Sequence, residues 1–304
     1  MKEKFELKYD DNTVELMSCM YISYYRLGID FWQENPYFNK KYFWELVDLY
    51  ANLELDEDYQ LIRPGDIGNL DVLEVSNEIL ISLLPSLKNA ILDFDNILEF
   101  KCNEDYYISN FSYSVNPKGV INYNKIEIGG QINEYTISAI NHEKGHGLVF
   151  NNINLNRVPN YLFEFFSNLL QNITAQVLKQ KYSFFSSPLI SDLVRVVDMQ
   201  QECLMLSFLY ENQIIENSFQ DKAVKQYYFN RINDYFISGL FSSYLTDSYL
   251  DDSKLMIKKI NQCFKNQISV LDFLDYYGVS FDSLKLYNHA KEKTDLIKKY
   301  SISF

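Results

Sequence analysis

Two of this chain's three histidines, His142 and His146, stand four residues apart with Glu143 beside the first, in the run His142-Glu143-Lys144-Gly145-His146. On a helix, positions i and i+4 lie one turn apart on the same face, so the two imidazoles can share one divalent cation. Zinc accepts imidazole nitrogen at about 2.0–2.1 Å and suits such a pair. Glu143 leaves the helix rotated roughly 100° from His142, beside the ion rather than on it, where a carboxylate can take a proton from a water held there. The spacing therefore points to one Zn²⁺ and to hydrolysis with Glu143 as general base.

A catalytic zinc usually takes three protein ligands and keeps one position open. A third histidine six residues beyond His146 is excluded, because Asn152 stands there. His289 is far away in sequence and could join only by folding. Glu164 is better placed, on a helix that Pro159 would open near its first position. If that helix packs antiparallel to the first, its carboxylate returns to the metal.

The elements that must position these groups follow from periodicity. Apolar residues recur at helical spacing over 14–31, 42–53 and 72–100, with Pro85 a kink or break in the last. Turns are expected at Asn35-Pro36 and Arg63-Pro64-Gly65-Asp66. Alternation over 106–115, the turn Asn116-Pro117-Lys118-Gly119 and the run 120–123 predict a β-hairpin. Helical spacing then resumes over 135–150, 161–181, 189–215, 223–250, 255–264, 270–277 and 281–300. The expected fold is mainly α, a multi-helix zincin-like arrangement with one small sheet or hairpin beside the helix of His142. Residues 1–104 read as an N-terminal helical region and 105–304 as the catalytic region, the two packed together.

Composition narrows the partners. A hydrophobic content of 47% allows a full core, and 25 Tyr with 22 Phe suggest ring-lined interior or groove surfaces. A formal net charge of −13 argues against nucleic acid and anionic membranes, and favours a peptide with basic residues. The charged start of the chain and the lack of any run of about 18 apolar residues lead us to expect a cytoplasmic protein. Cys19, Cys102, Cys203 and Cys263 form no CxxC and read as buried thiols. No glycine-rich strand-to-helix turn that would cradle phosphate is present.

The run Val120-Ile121-Asn122-Tyr123-Asn124-Lys125, followed by Tyr135 through His146, resembles the oligoendopeptidase F and thimet oligopeptidase family of zinc peptidases. Gly145 matches that family's glycine, and Glu164-Phe165-Phe166-Ser167 is similar to the stretch bearing its third ligand. The resemblance extends more loosely through Val224–Gly239 and Leu271–Asp282, so that it covers roughly residues 105 to 300. It implies a zinc-dependent endopeptidase acting on oligopeptides, with His142, His146 and Glu164 as ligands. Two positions depart from the pattern. The family's histidine before its tyrosine-rich helix falls on Gln226, and a tyrosine that donates to the oxyanion falls on Phe236. Such donors typically contribute about 2.7–4 kcal/mol each. Tyr228, Tyr235 and Tyr244 are the candidates to replace them. The departures leave two further readings: a catalytically weak zinc protein that binds peptides, or a dedicated peptidase that processes one partner peptide, which the shortness of the N-terminal region relative to the family also suggests.

Overall fold

The computed structural model describes residues 37–54 except 38, 60–101, 109–115, 121–154, 162–211 and 222–302. The helix expected over 14–31, the turns at 35–36 and 116–119, Cys19 and Cys102 lie outside the described residues. The chain is mainly helical, with ten α-helices and two small sheets among the described residues.

The first half of the described chain builds a support. Helix α1 (Phe43–Ala51) buries Phe43, Leu46, Val47 and Tyr50, an i, i+3, i+4, i+7 set. Strand β1 (Gln60–Ile62) comes next, then helix α2 (Val72–Leu83), capped by Asp71, whose carboxylate accepts from the backbone N–H of Leu73 and Glu74. The helix expected over 72–100 stops at Leu83. Pro85 cannot continue it, and the chain passes through a 3₁₀ turn (Pro85–Leu87), helix α3 (Lys88–Asp93) and a second 3₁₀ turn (Phe94–Ile97) into strand β2 (Leu98–Lys101).

Strands β3 (Ser109–Val115) and β4 (Ile121–Gly129) form the expected hairpin, antiparallel, with a register shift at Ser112/Tyr113. The sheet is larger than the hairpin, because β2 adds in parallel to the other edge of β4, giving the order β2-β4-β3. Leu98-Glu99-Phe100-Lys101 is too short for its alternation to be told from a helix end, and only its pairing with β4 identifies it as a strand.

Helix α4 (Glu134–Asn152) carries the histidine pair and packs on β3, β4, α2 and the long helix α5 (Phe165–Tyr182). It opens on a capping box: the Asn133 side chain accepts from Tyr135 and Thr136 N–H, and Thr136 Oγ1 accepts from Asn133 N–H at 3.0 Å. Helix α5 ends at Ser183 in the left-handed conformation (φ 62°), with Phe184 N–H returning to Leu178 O at 3.2 Å. Helices α6 (Ser187–Glu211) and α7 (Lys222–Asp251) pack against α5 and each other. Helices α8 (Ser253–Phe264), α9 (Val270–Tyr276) and α10 (Leu284–Ile297) complete the helical set. Strand β5 (Tyr300–Ile302) pairs in parallel with β1, a contact between residues some 240 positions apart that no local pattern announces. The helix expected over 281–300 is correspondingly shorter at both ends.

His289, on α10, is buried and held between two groups of α7: its Nδ1 lies 2.9 Å from Asp247 Oδ2 and its Nε2 3.0 Å from Ser243 Oγ, with the Tyr244 ring edge-on to it at 5.5 Å. Ser, His and Asp in this order can activate a hydroxyl, but Ser243 lies inside a helix, whose N–H groups are engaged within the helix and cannot cradle an oxyanion. The trio instead ties α10 to α7. Burial raises the Asp247 carboxyl, yet the His289 hydrogen bond and charge outweigh it and hold the group below its ordinary value. A depressed carboxyl stabilises the fold above its unfolded value of about 3.9 and loses that contribution as pH falls through the folded value. Asp247→Asn is therefore expected to be less stable than wild type at neutral pH, with the gap closing below about pH 4. Paired acid-denaturation curves that stay a constant distance apart down to pH 2 would sink this assignment.

Candidate metal centre

Three side chains converge where α4 meets the start of α5. His142 Nε2 and His146 Nε2 lie 3.2 Å apart, and Glu164 Oε2 stands 3.4 Å from the first and 3.3 Å from the second. All three are largely enclosed, with side-chain exposures of 12%, 14% and 5%. Among the described residues, this is the one group of His, Cys, Asp or Glu side chains gathered closely enough to hold an ion.

The donor set fits zinc. A tetrahedral ion with ligands at about 2.0–2.1 Å has ligand atoms about 3.3 Å apart along each edge. The three observed separations, 3.2 to 3.4 Å, trace one face of such a tetrahedron. Two imidazole nitrogens and one carboxylate oxygen are also the ligand types of hydrolytic zinc. Burial raises the Glu164 carboxyl, but the charges and hydrogen bonds of His146 and His142 prevail and keep it well below the usual carboxylate range, hence ionised.

Glu164 reaches the histidines because of where its helix begins. Helical structure starts at Phe165, not near 161 as the position of Pro159 suggests, so Glu164 occupies the N-cap position. Its carboxylate makes no cap hydrogen bond to its own helix and is aimed across the gap to α4. Gly145 allows the gap to be that narrow. A Cβ there would lie 2.9 Å from Ser167 Cα and 3.1 Å from Ser167 Oγ. Gly145→Ala gains helix propensity, about 1 kcal/mol, but forces backbone apart in a packed seam, where overpacking costs about 1–3 kcal/mol. We expect a lower melting temperature and a larger loss of bound zinc than the melting shift alone would produce. Full zinc occupancy with unchanged stability would show that the close approach does not set the ligand spacing.

Glu143 is 4% exposed, on the α4 face next to that of His142. The rest of α4 is buried almost all round, and its polar residues act as pins. Glu134 accepts from Gly65 N–H, Ser186 Oγ–H and Ser187 Oγ–H. Asn141 accepts from Ser76 Oγ–H at 2.6 Å and donates to Thr174 Oγ1 at 2.8 Å, joining α2 to α5. Lys144, fully buried, donates to Asn77 Oδ1 at 2.7 Å and to the Asp95 carboxylate. Burial lowers the Lys144 ammonium, with Asp95 opposing. These pins are invisible to motif reading. Their signal in the sequence is that polar residues interrupt the apolar face of a helix already marked by its histidines.

A second polar chain lies beyond the cluster of His142, His146 and Glu164. Gln171 donates to Tyr135 OH at 3.0 Å and accepts from buried Arg195, which also donates to Asp198 at 3.2 Å. Burial raises the Asp198 carboxyl, and the Arg195 and His142 charges pull against that rise. None of these residues stands out by spacing.

The tyrosine candidates all lie on α7. The side chain of Tyr228, like that of Gln226, falls outside the described ones. Tyr235 is half-buried, and Tyr244 packs on His289. Phe236 is fully buried against Phe43, Tyr50 and Phe281, a ring of the core with no hydroxyl to offer. His289 takes no part in the ligand cluster.

No protein-family model matches this chain, and no curated protein sequence matches it. Among solved structures it is similar to a crystal structure from Bacillus anthracis str. Ames that is provisionally named an oligoendopeptidase F, at 12% identity and a TM-score of 0.48. The superposition covers 96% of this chain and 57% of that one, so the chain spans little more than half of that protein's length, and the likeness is a distant structural one.

Proposed function

We propose that this chain is a zinc-dependent endopeptidase that hydrolyses peptide bonds in oligopeptides. The observation that carries the reading is the triangle of His142, His146 and Glu164 donor atoms with 3.2–3.4 Å edges, flanked by Glu143 on the same helix. A zinc ion held by these three would polarise the scissile carbonyl and make water a better nucleophile at neutral pH. Glu143 takes the proton from the attacking water and delivers it to the departing amine. No covalent acyl-enzyme is involved. Tyr228, Tyr235 and Tyr244 are the candidate donors to the developing oxyanion. The machinery belongs to residues 105–304, and the region before it buttresses α4 through Ser76, Asn77 and Asp95. No described helix is long and apolar enough to cross a membrane.

The net charge of −13 favours peptides that carry basic residues. Among the described residues strand β3 stands at the edge of its sheet, with α4 packed on it, and an extended peptide can add to that edge as a further strand. Prolines introduced singly along 111–115 would remove donors from the edge. At positions whose N–H faces outward they are expected to raise KM several-fold while zinc content stays normal; unchanged kinetics across the series would rule the edge out.

The burial of Phe236 favours a second reading, a zinc protein that binds peptides and turns them over weakly. Digestion of a diverse peptide mixture by zinc-loaded protein, followed by mass spectrometry beside Glu143→Gln, separates the two. Cleavage by wild type alone supports the peptidase and reveals its residue preference. Binding without cleavage, over a broad mixture, supports the second reading, whereas cleavage of a single dedicated peptide identifies a processing enzyme.

A further inference from the structure

Among the buried polar side chains with atoms that have no hydrogen-bond partner among the described residues are, near the His142–Glu164 contact, ring atom Nδ1 of His142, Oγ of Ser167 and both ends of the Asn168 side-chain amide. Asn168 is fully buried, on a face of α5 otherwise covered by packed helix. Polar groups so enclosed are normally satisfied, and one that is not calls for a reason.

The helix geometry supplies it. Asn168 lies four residues beyond Glu164, which places it about 40° round and about 6 Å along α5, on the same face. Helices α4 and α5 run antiparallel in this seam, since His142 meets Glu164 while Tyr135 meets Gln171. Asn168 therefore lies between the ligand pair and the Tyr135–Gln171 hydrogen bond, alongside the turn of α4 that leads into His142. Of the neighbouring acceptors, Gln171 Oε1 accepts from Arg195. Ser167 Oγ is also without a partner among the described residues and lies in the seam with Gly145, 3.1 Å from where a Cβ on Gly145 would stand, so that Ser167→Ala is the control that separates it from Asn168.

An imidazole that offers Nε2 to a cation carries its proton on Nδ1, and that N–H is almost always donated to a carboxylate or carbonyl that fixes the ring plane. We propose that Asn168 is the positioning residue of this centre, its side-chain carbonyl accepting the Nδ1–H of His142. The two groups are not bonded to each other in this structure; the proposal requires the Asn168 side chain to turn toward a His142 ring that stays in place, with its Nε2 in the triangle with His146 and Glu164. The inference rests on reading the cluster as a metal centre. It adds to that reading an explanation for a buried amide that neither binds the ion nor packs as an apolar residue would.

The test uses the whole 304-residue chain, zinc as the probe, and two readouts: zinc affinity by chelator competition, and melting temperature of the zinc-free form. Asn168→Leu is expected to bind zinc about 10- to 100-fold more weakly. Its zinc-free form should melt at or above the wild-type temperature, because an unsatisfied buried amide has been removed. Asn168→Asp, which keeps an acceptor, should bind within a few-fold of wild type, and Ser167→Ala should not change affinity. A purely structural asparagine would instead lose zinc-free stability and zinc affinity together, and the aspartate would not restore the latter. If Asn168→Leu does not fold, Asn168→Ser withdraws the carbonyl without adding bulk and is read the same way. Wild-type affinity in the leucine or serine variant overturns the positioning role alone. Failure of the wild type to bind zinc in the same titration overturns the metal centre and this role with it.

Discussion

Replacing Glu143 with glutamine is expected to lower turnover by about 10²- to 10⁴-fold while zinc binds at its wild-type stoichiometry and peptide affinity is little changed. The amide keeps the shape of the carboxylate but cannot accept a proton from water at neutral pH. Glu143 stands outside the ligand triangle, so the 3.2–3.4 Å separations among His142, His146 and Glu164 do not depend on its charge. Metal analysis beside single-turnover cleavage of a substrate peptide checks both halves. A variant that cleaves at near the wild-type rate would remove Glu143 from the mechanism, and one that loses zinc would make it a structural residue instead.

Asp95→Ala should be the most destabilising of the single changes considered, by about 3–5 kcal/mol, because it leaves the buried Lys144 ammonium without its carboxylate. Lys144 is completely enclosed, and the remaining partner, Asn77 Oδ1, offers only a neutral acceptor at 2.7 Å. Against a typical net stability of about 5–15 kcal/mol, such a loss is large. Lys144→Met removes the charge instead, leaving Asp95, which is 26% exposed, able to turn toward water. It should cost less, and the double variant should be more stable than Asp95→Ala alone. The cycle is measured by chemical denaturation of the four proteins. If the two changes simply add, the ammonium is not what makes Asp95 necessary. Because this pin holds α4 against α2 and the 3₁₀ turn at Phe94–Ile97, weaker zinc binding is expected to accompany the loss of stability.

The same contrast between local and distant causes governs how much of the structure the chain announces. The helices beyond Asn133 are legible because apolar spacing and caps are written within a few neighbouring residues, as in the capping box of Asn133 and Thr136. The end of α2 is less so, since Pro85 marks a break but does not specify the elements beyond it, and β2 becomes a strand only by pairing with β4. The pairing of β1 with β5 has no local trace at all, because three residues carry too little alternation to be recognised.

By itself the sequence determined that His142 and His146 share a helix face with Glu143 beside them, that the chain is mainly helical with a hairpin before that helix, and that its net charge is acidic. Each of these depends on period, composition or adjacency, which the chain carries without folding. Only the tertiary structure decided that the first turn of α5 begins just after Glu164, that Gly145 lets α5 approach until Glu164 Oε2 stands 3.3–3.4 Å from both imidazoles, and that Lys144, Asn141 and Glu134 pin the helix that bears them. Those distances are set by packing between residues tens of positions apart, where a few tenths of an ångström separate a ligand set from three unrelated side chains.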